Sequence, residues 1–368
     1  VVGYIYRAKI TSKVIKCVTA VAVIVSLFGV LQMTLLNPEL LSHVGYNGNP
    51  IPARFSIDDD LGSIRIASTT RGPNSLGAYL VVTIILVMAY IYARGVKYGR
   101  VMQASVVLLI LALLLMIIAL YGSHSRSAFI GTIIASCAWI YLTISSRSRT
   151  LFIAALAIVA LLSGAGIYVA RNTYFFRAVI LHDIKGSGGD LTSNQGHIKA
   201  LSEGVSDVEK EKFLGCGPGC AGPASFRSDR GAHIAENYYI QIAQEVGMMG
   251  VVLFVAIASL VAVRLYALRG LYPAALALVA SLLGVSVASL FLHSWADDAL
   301  AYTWWGIAGL LIGSNSPLGF ATATAKHPRT SVSNSFEPSN QALGKRASDR
   351  SNRLQRHLRG AERPHRVL

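Results

Sequence analysis

The chain has 368 residues, of which 53% are hydrophobic and only 14% charged, and it carries a formal net charge of +15. A soluble domain has nearer a quarter of its residues charged. The composition therefore excludes an ordinary soluble protein and points to a chain that crosses a bilayer repeatedly, because several stretches approach the roughly 20 apolar residues of a span.

The first residue is Val1 rather than Met, and the chain is read as lacking its natural N-terminus. The first apolar run follows a basic segment and is too long for the apolar region of a cleavable signal. Eight spans are predicted, at about 14–36, 76–93, 101–121, 128–144, 151–170, 238–263, 273–292 and 299–313. One alternating set of connections carries Arg7, Lys9 and Lys13, then Arg94, Lys97 and Arg100, then Arg147 and Arg149, then Arg264 and Arg269, with no acid. The other set holds the acids, including Glu39, Asp58–Asp60, Asp183 through Glu236, Asp297 and Asp298. The positive-inside rule puts the first set in the cytoplasm. Both ends of this chain are then cytoplasmic, and residues 37–75, 122–127, 171–237 and 293–298 face outward.

The first outward segment carries Arg54, Arg65 and Arg71 before Pro73-Asn74-Ser75, which reads as a helix start with Asn74 or Ser75 as N-cap. Exposed helix N-termini near arginines suit phosphate. The Asp58–Asp60 run reads as a solvated loop, with a cation site as the alternative. The second outward segment is a short turn, and Arg126 stands in it, on the side where topology does not ask for a positive charge. A snorkelling arginine at an interface is the plain explanation.

The third outward segment is too long for a connector and is expected to have structure of its own. It contains LGCGPGCAGPASF at 214–226, whose Gly215, Gly217, Gly219 and Gly222 let the backbone turn sharply or approach a ligand. No Gly-Lys-Ser/Thr follows, so it is not a P-loop. Cys216 and Cys220 offer a disulfide or, with His233, an incomplete zinc set. Cys17 and Cys137 lie in spans and read as packing residues. The sixth span is amphiphilic at its start (Tyr238, Gln241, Gln244, Glu245), where it projects from the membrane or lines a cavity. Glu236 and Asn237 double as candidate caps of this span. Glu245 reads equally as a structural acid paired to an arginine, and Gly247 with Gly250 as helix packing. His124 and His293 face outward, near Arg126 and Asp297–Asp298. Tyr302, Trp304 and Trp305 read as an interface belt or as packing.

From residue 314 the composition shifts to Ser, Asn, Arg and Ala, with ten Lys/Arg against three acids. Residues 314–368 are read as a disordered basic cytoplasmic tail, following a transmembrane domain at 1–313. Such a tail suits anionic headgroups or has no task. It lacks the aromatic interleaving of a nucleic-acid binder.

Three motifs stand in order: Arg65 with PNSLGAYL at 73–80, SRSA at 125–128, and an outer loop ending in LGCGPG at 214–219, ENYYI at 236–240 and EVGMMG at 245–250. This order resembles the O-antigen ligase and polymerase superfamily, over about residues 64–313. The resemblance implies an all-α polytopic membrane glycosyltransferase of the GT-C type, without metal or other cofactor, in the bacterial inner membrane. It would move a glycan from undecaprenyl diphosphate to a hydroxyl on a lipid, glycan or protein acceptor at the outer face. Further spans preceding the matched region are usual in the family.

Arg126 and Arg65 match the family's arginine-bearing motifs and are expected to grip the diphosphate. A third arginine from the large loop is drawn from Arg171, Arg177, Arg227 and Arg230, with Arg227 taken into the candidate site. Asn74, Gly217, Gly219 and Asn237 are expected to support it. Ligases of the family commonly place a histidine where this chain has Glu236, with His233 three residues earlier; either is the candidate base, Glu236 being favoured by its motif position. Ligase and polymerase are not separated by these motifs. A transporter of a lipid-linked sugar or an anion is the competing class; mid-span ionisable residues and internal repeats would mark it, and spans two to five are almost free of charge.

Overall fold

A computed structural model describes residues 8–37, 39–46, 51–57, 60–96, 99, 103–173, 193–211, 214–227 and 234–315. His233, Arg177, Arg230, Asp58, Asp59 and the basic tail lie outside the described residues.

The protein is an all-α polytopic membrane protein. Its helices are α1 (Ala8–Thr34), α2 (Pro73–Ile91), α3 (Ala104–Ser123), α4 (Arg126–Thr143), α5 (Ser146–Ala170), α6 (Ser193–Glu211), α7 (Tyr238–Ala267), α8 (Pro273–Ala288) and α9 (Asp298–Ser314). A small antiparallel hairpin, β1 (Phe55–Ile57) with β2 (Asp60–Arg65), precedes α2. Each of the eight predicted spans is a helix. Among the described residues, six of these (α1 to α5 and α7) are long and apolar enough to cross a membrane. Helices α8 and α9 have 16 and 17 residues, about 24–26 Å at 1.5 Å per residue. That is short of a hydrocarbon core, but α8 is enclosed by other helices and need not match lipid.

Helix α2 is the centre of the bundle: 72% of its span is buried, against 22% for each of α1, α3 and α4. Its sequence is apolar on every side, as a buried helix requires. Helices α8, α3 and α4 pack around it, and the most extensive pairing is α4 with α8. Lipid is as apolar as leucine, so such pairs are held by close packing rather than by the hydrophobic effect. Small residues make this possible. A Cβ on Gly284 would stand 2.2 Å from the Gly131 carbonyl oxygen, and one on Gly77 2.6 Å from the Ala128 methyl. Helix α5 contributes nothing to this core and is buried at none of its positions.

Three expectations are corrected. Helix α2 starts earlier than Asn74 or Ser75 would allow: Gly72 is its N-cap and Pro73 its first residue, a place where a missing N–H costs nothing. Gly247 is not a plain packing glycine. It sits at φ 80° inside α7 and breaks the helix there, a conformation that favours glycine. Glu245, two residues before that kink, has no arginine partner among the described residues; its carboxylate accepts from the Gly219 N–H at 3.2 Å. Trp304 is a packing residue, fully buried, with its indole N–H donating to the Leu278 carbonyl at 3.1 Å.

Candidate active site

At the bundle end where α2, α4 and α7 begin and α3 and α8 finish, a cavity of about 540 Å³ is lined by Arg65, Asn74, His124, Arg126, His197 and Glu236. Its apolar wall includes Ile130, Ile198, Leu201 and Leu290–Leu292. Five residues singled out in the sequence, Arg65, Asn74, His124, Arg126 and Glu236, therefore share one cavity although up to 171 positions separate them (65 to 236).

Arg65 ends β2. The Ile66 N–H donates to the Gly122 carbonyl at 3.0 Å, which ties this strand to the last turn of α3. Arg65 Nε then donates to the Ser123 carbonyl at 3.1 Å, and Nη2 to Asn74 Oδ1 at 2.9 Å. A cation at a helix C-terminus is favoured by the helix dipole, and the two bonds fix the guanidinium plane against the cavity. Asn74 is thus an arginine holder rather than a helix cap.

Arg126 is the first residue of α4, after Ser125 as N-cap. Here dipole and side chain are both positive, an unfavourable pairing unless an anion is nearby. Ser127 beside it lines the same wall. His124, between α3 and α4, takes the left-handed conformation at φ 49°. Glu236 does so too, at φ 50°. Among the described residues only Ser68 joins them as a non-glycine with positive φ. Backbone of this kind costs energy and concentrates at functional sites.

Asn237 is the N-cap of α7. Its Oδ1 accepts from the Tyr239 and Ile240 N–H groups at 3.0 and 3.1 Å, and its Nδ2 donates to the Leu290 carbonyl at 3.0 Å. It caps α7 directly after Glu236 and ties α7 to the residues after α8.

Helix α6, within the large loop, reaches over the cavity. His197, Leu201 and Gly204 fall at i, i+4 and i+7, one face of a helix. Gly204 brings that face down closely: a Cβ there would stand 2.6 Å from Ala235 Cβ. Two turns away His197 meets the carboxylate, and its Nδ1 pairs with Glu236 Oε2. Helix α6 is held at its far end by Gln244 Nε2 donating to Asp207 Oδ2 at 3.4 Å. His197 was not among the residues singled out in the sequence, where α6 lay inside a loop. The i, i+4, i+7 spacing of His197, Leu201 and Gly204 was the available signal.

The other candidates lie elsewhere. Gly217 and Gly219 do not line the cavity; their N–H groups, at φ 100° and 82°, bond the Glu245 carbonyl and carboxylate respectively. The glycine-rich loop is thus a buttress for the α7 kink. Cys216 and Cys220 within it form a disulfide, which leaves no thiolate pair for zinc. The backbone of Arg227 closes the short 3-10 helix Gly222–Arg227, and its side chain lies outside the described residues. Arg171 stacks on Tyr168 at 4.0 Å and does not line the cavity.

A second polar cluster stands at the same end of the bundle. Arg71 Nη2 pairs with Asp297 Oδ1 at 2.5 Å, and Ser75 Oγ donates to the same oxygen at 2.8 Å. His293 is close by with Nδ1 buried. Burial pushes its pKa below the ordinary 6.5, with Asp297 acting upward and Arg71 downward. His293 does not line the cavity, whereas His124 does.

No curated protein matches the chain. Residues 111–255 match the family described as O-Antigen ligase. That stretch holds Arg126, His197 and Glu236, and the match supports the O-antigen ligase superfamily.

Proposed function

We propose that the cavity is the reaction centre of a glycosyl transfer from undecaprenyl diphosphate to an acceptor hydroxyl, at the outer face of a bacterial inner membrane. The observation that carries this reading is the convergence of Arg65 and Arg126 on one cavity that also holds the Glu236 carboxylate. A polyprenyl diphosphate leaves with negative charge. Two arginines and the N-terminus of α4 provide fixed positive charge where that charge grows, and preorganised charge of this kind is usually the largest single contribution to catalysis. Arginine suits phosphate oxygens through paired, charge-assisted bonds.

Glu236 marks the basic side, on which an acceptor hydroxyl would lose its proton. The apolar wall of Ile130, Leu290, Phe291 and Leu292 gives the first isoprene units a surface next to the diphosphate. Under the positive-inside assignment this end of the bundle faces away from the cytoplasm. Positions 1–313 act as the transmembrane domain in this reading, and residues 314–368 as a basic tail at the cytoplasmic surface.

The test is transfer itself. The chain is reconstituted in vesicles with an undecaprenyl-diphosphate-linked oligosaccharide and a panel of glycan, lipid A-core and protein acceptors. Glycan-linked acceptor and released undecaprenyl diphosphate, in equal amounts, are the expected products. Movement of intact lipid-linked sugar across the vesicle, with no bond broken, would replace this reading with transport.

A further inference from the structure

We infer that His197 is the group that takes the acceptor's proton, and that Glu236 is its positioning residue rather than the base. This deepens the proposed transfer and rests on it.

The argument begins with the pairing. Glu236 Oε2 meets His197 Nδ1, so the carboxylate holds the proton on Nδ1 and the basic lone pair is on Nε2. A carboxylate behind an imidazole both orients the ring and stabilises the imidazolium that forms when it accepts a proton. Glu236 is built as a support. Its backbone is held at φ 50° between Ala235, on which Gly204 of α6 is seated, and Asn237, which is locked to α7 and to Leu290. A rigid second layer of this kind is what a precisely aimed catalytic group needs.

His197 arrives from another direction. It is on α6, which crosses the cavity and presents Ile198 and Leu201 to it as well. The imidazole therefore shares the cavity with Arg65 and Arg126 but is held by a different wall. An acceptor between the two would have a base on one side and the departing diphosphate on the other. In the step, the acceptor oxygen bonds to the anomeric carbon while the bond from that carbon to the diphosphate oxygen breaks. The electron pair leaves with undecaprenyl diphosphate, and the hydroxyl proton passes to His197 Nε2.

The experiment uses the full chain in vesicles with the lipid-linked oligosaccharide donor, reading undecaprenyl diphosphate released per acceptor modified. General-base removal costs about 10²–10⁴-fold. His197→Ala and His197→Gln should lower kcat by at least about 100-fold, with donor KM within about threefold, and Glu236→Ala should cost less. Added imidazole should restore His197→Ala by about tenfold or more, which a purely structural loss would not allow. The inference is overturned if His197→Ala stays within about tenfold of wild type while formate restores Glu236→Ala, because the carboxylate is then the base. It is equally overturned if His197→Ala is inactive and imidazole leaves it so. A wild type active in transfer with a neutral His197 variant sinks this inference alone; a wild type that transfers nothing sinks the proposed function beneath it.

Discussion

Gly131 of α4 and Gly284 of α8 face each other with no room for a methyl group between the helices. The Gly284 Cβ position is 2.2 Å from the Gly131 carbonyl oxygen, and the Gly131 Cβ position 2.9 Å from the Gly284 carbonyl oxygen. The crossing sits about one helical turn below Arg126, so it also sets where that arginine stands. Gly284→Val must part the two helices. Overpacking of this kind costs about 1–3 kcal/mol. A lower melting temperature in detergent and a weaker donor affinity are expected together, whereas an unchanged melting temperature would mean the helices do not cross there.

Asn74 acts on Arg65 through one hydrogen bond of 2.9 Å. A bond to a charged group is worth about 1.5–3 kcal/mol. Asn74→Ala should therefore lower the melting temperature and, by releasing Arg65, also raise donor KM by about tenfold or more. Asn74→Asp keeps an acceptor and should remain closer to wild type. A cap role alone would lower stability and leave KM unaltered.

Much of this architecture was legible in the chain. The eight helices follow the apolar runs, because a bilayer leaves few alternatives to a helix. Motif order picked out Arg65, Arg126 and Glu236, and the fold brings all three to one cavity. Asn74 was read both as a support of the candidate site and as one of two possible caps; the cap is Gly72, and local pattern alone does not distinguish a cap from a side chain reaching back nine residues to Arg65. His197 was missed because its partner is 39 positions away and α6 has no apolar run to announce it. The glycine-rich loop read as a sharp backbone turn or a close approach to a ligand, and the positive φ at Gly215, Gly217, Gly219 and Gly222 fits the turn. Its glycines serve a backbone close approach to Gln244 and Glu245, which no local spacing reveals.

Gly204 should matter more than its place in an outer loop suggests. It seats α6 on Ala235 and Ile240, and so places His197 on Glu236. Gly204→Val should lift α6 and lower kcat by about tenfold or more, with the melting temperature of the span bundle unchanged. Equal kcat in this variant would separate α6 from the reaction.

His293 gives a pH dependence. Its folded pKa is depressed by burial, so the unfolded chain binds more protons in the region below 6.5. The corresponding stability is complete above about pH 6.5 and is lost as pH falls through and below that value toward the folded pKa. His293→Asn cannot titrate and should flatten the fall in melting temperature between about pH 7 and pH 5. A fall of the same size in the variant would assign the acid sensitivity to other groups.

The most direct measurement compares wild type with Arg126→Ala at matched protein levels in vesicles, following undecaprenyl diphosphate release and acceptor modification. The account expects a loss of about 100-fold or more in kcat/KM for Arg126→Ala, comparable to loss of one preorganised transition-state donor, with Arg126→Lys between the two because lysine keeps the charge and loses the paired geometry. Equal transfer by wild type and Arg126→Ala would contradict the account and leave Arg126 as an interfacial turn residue.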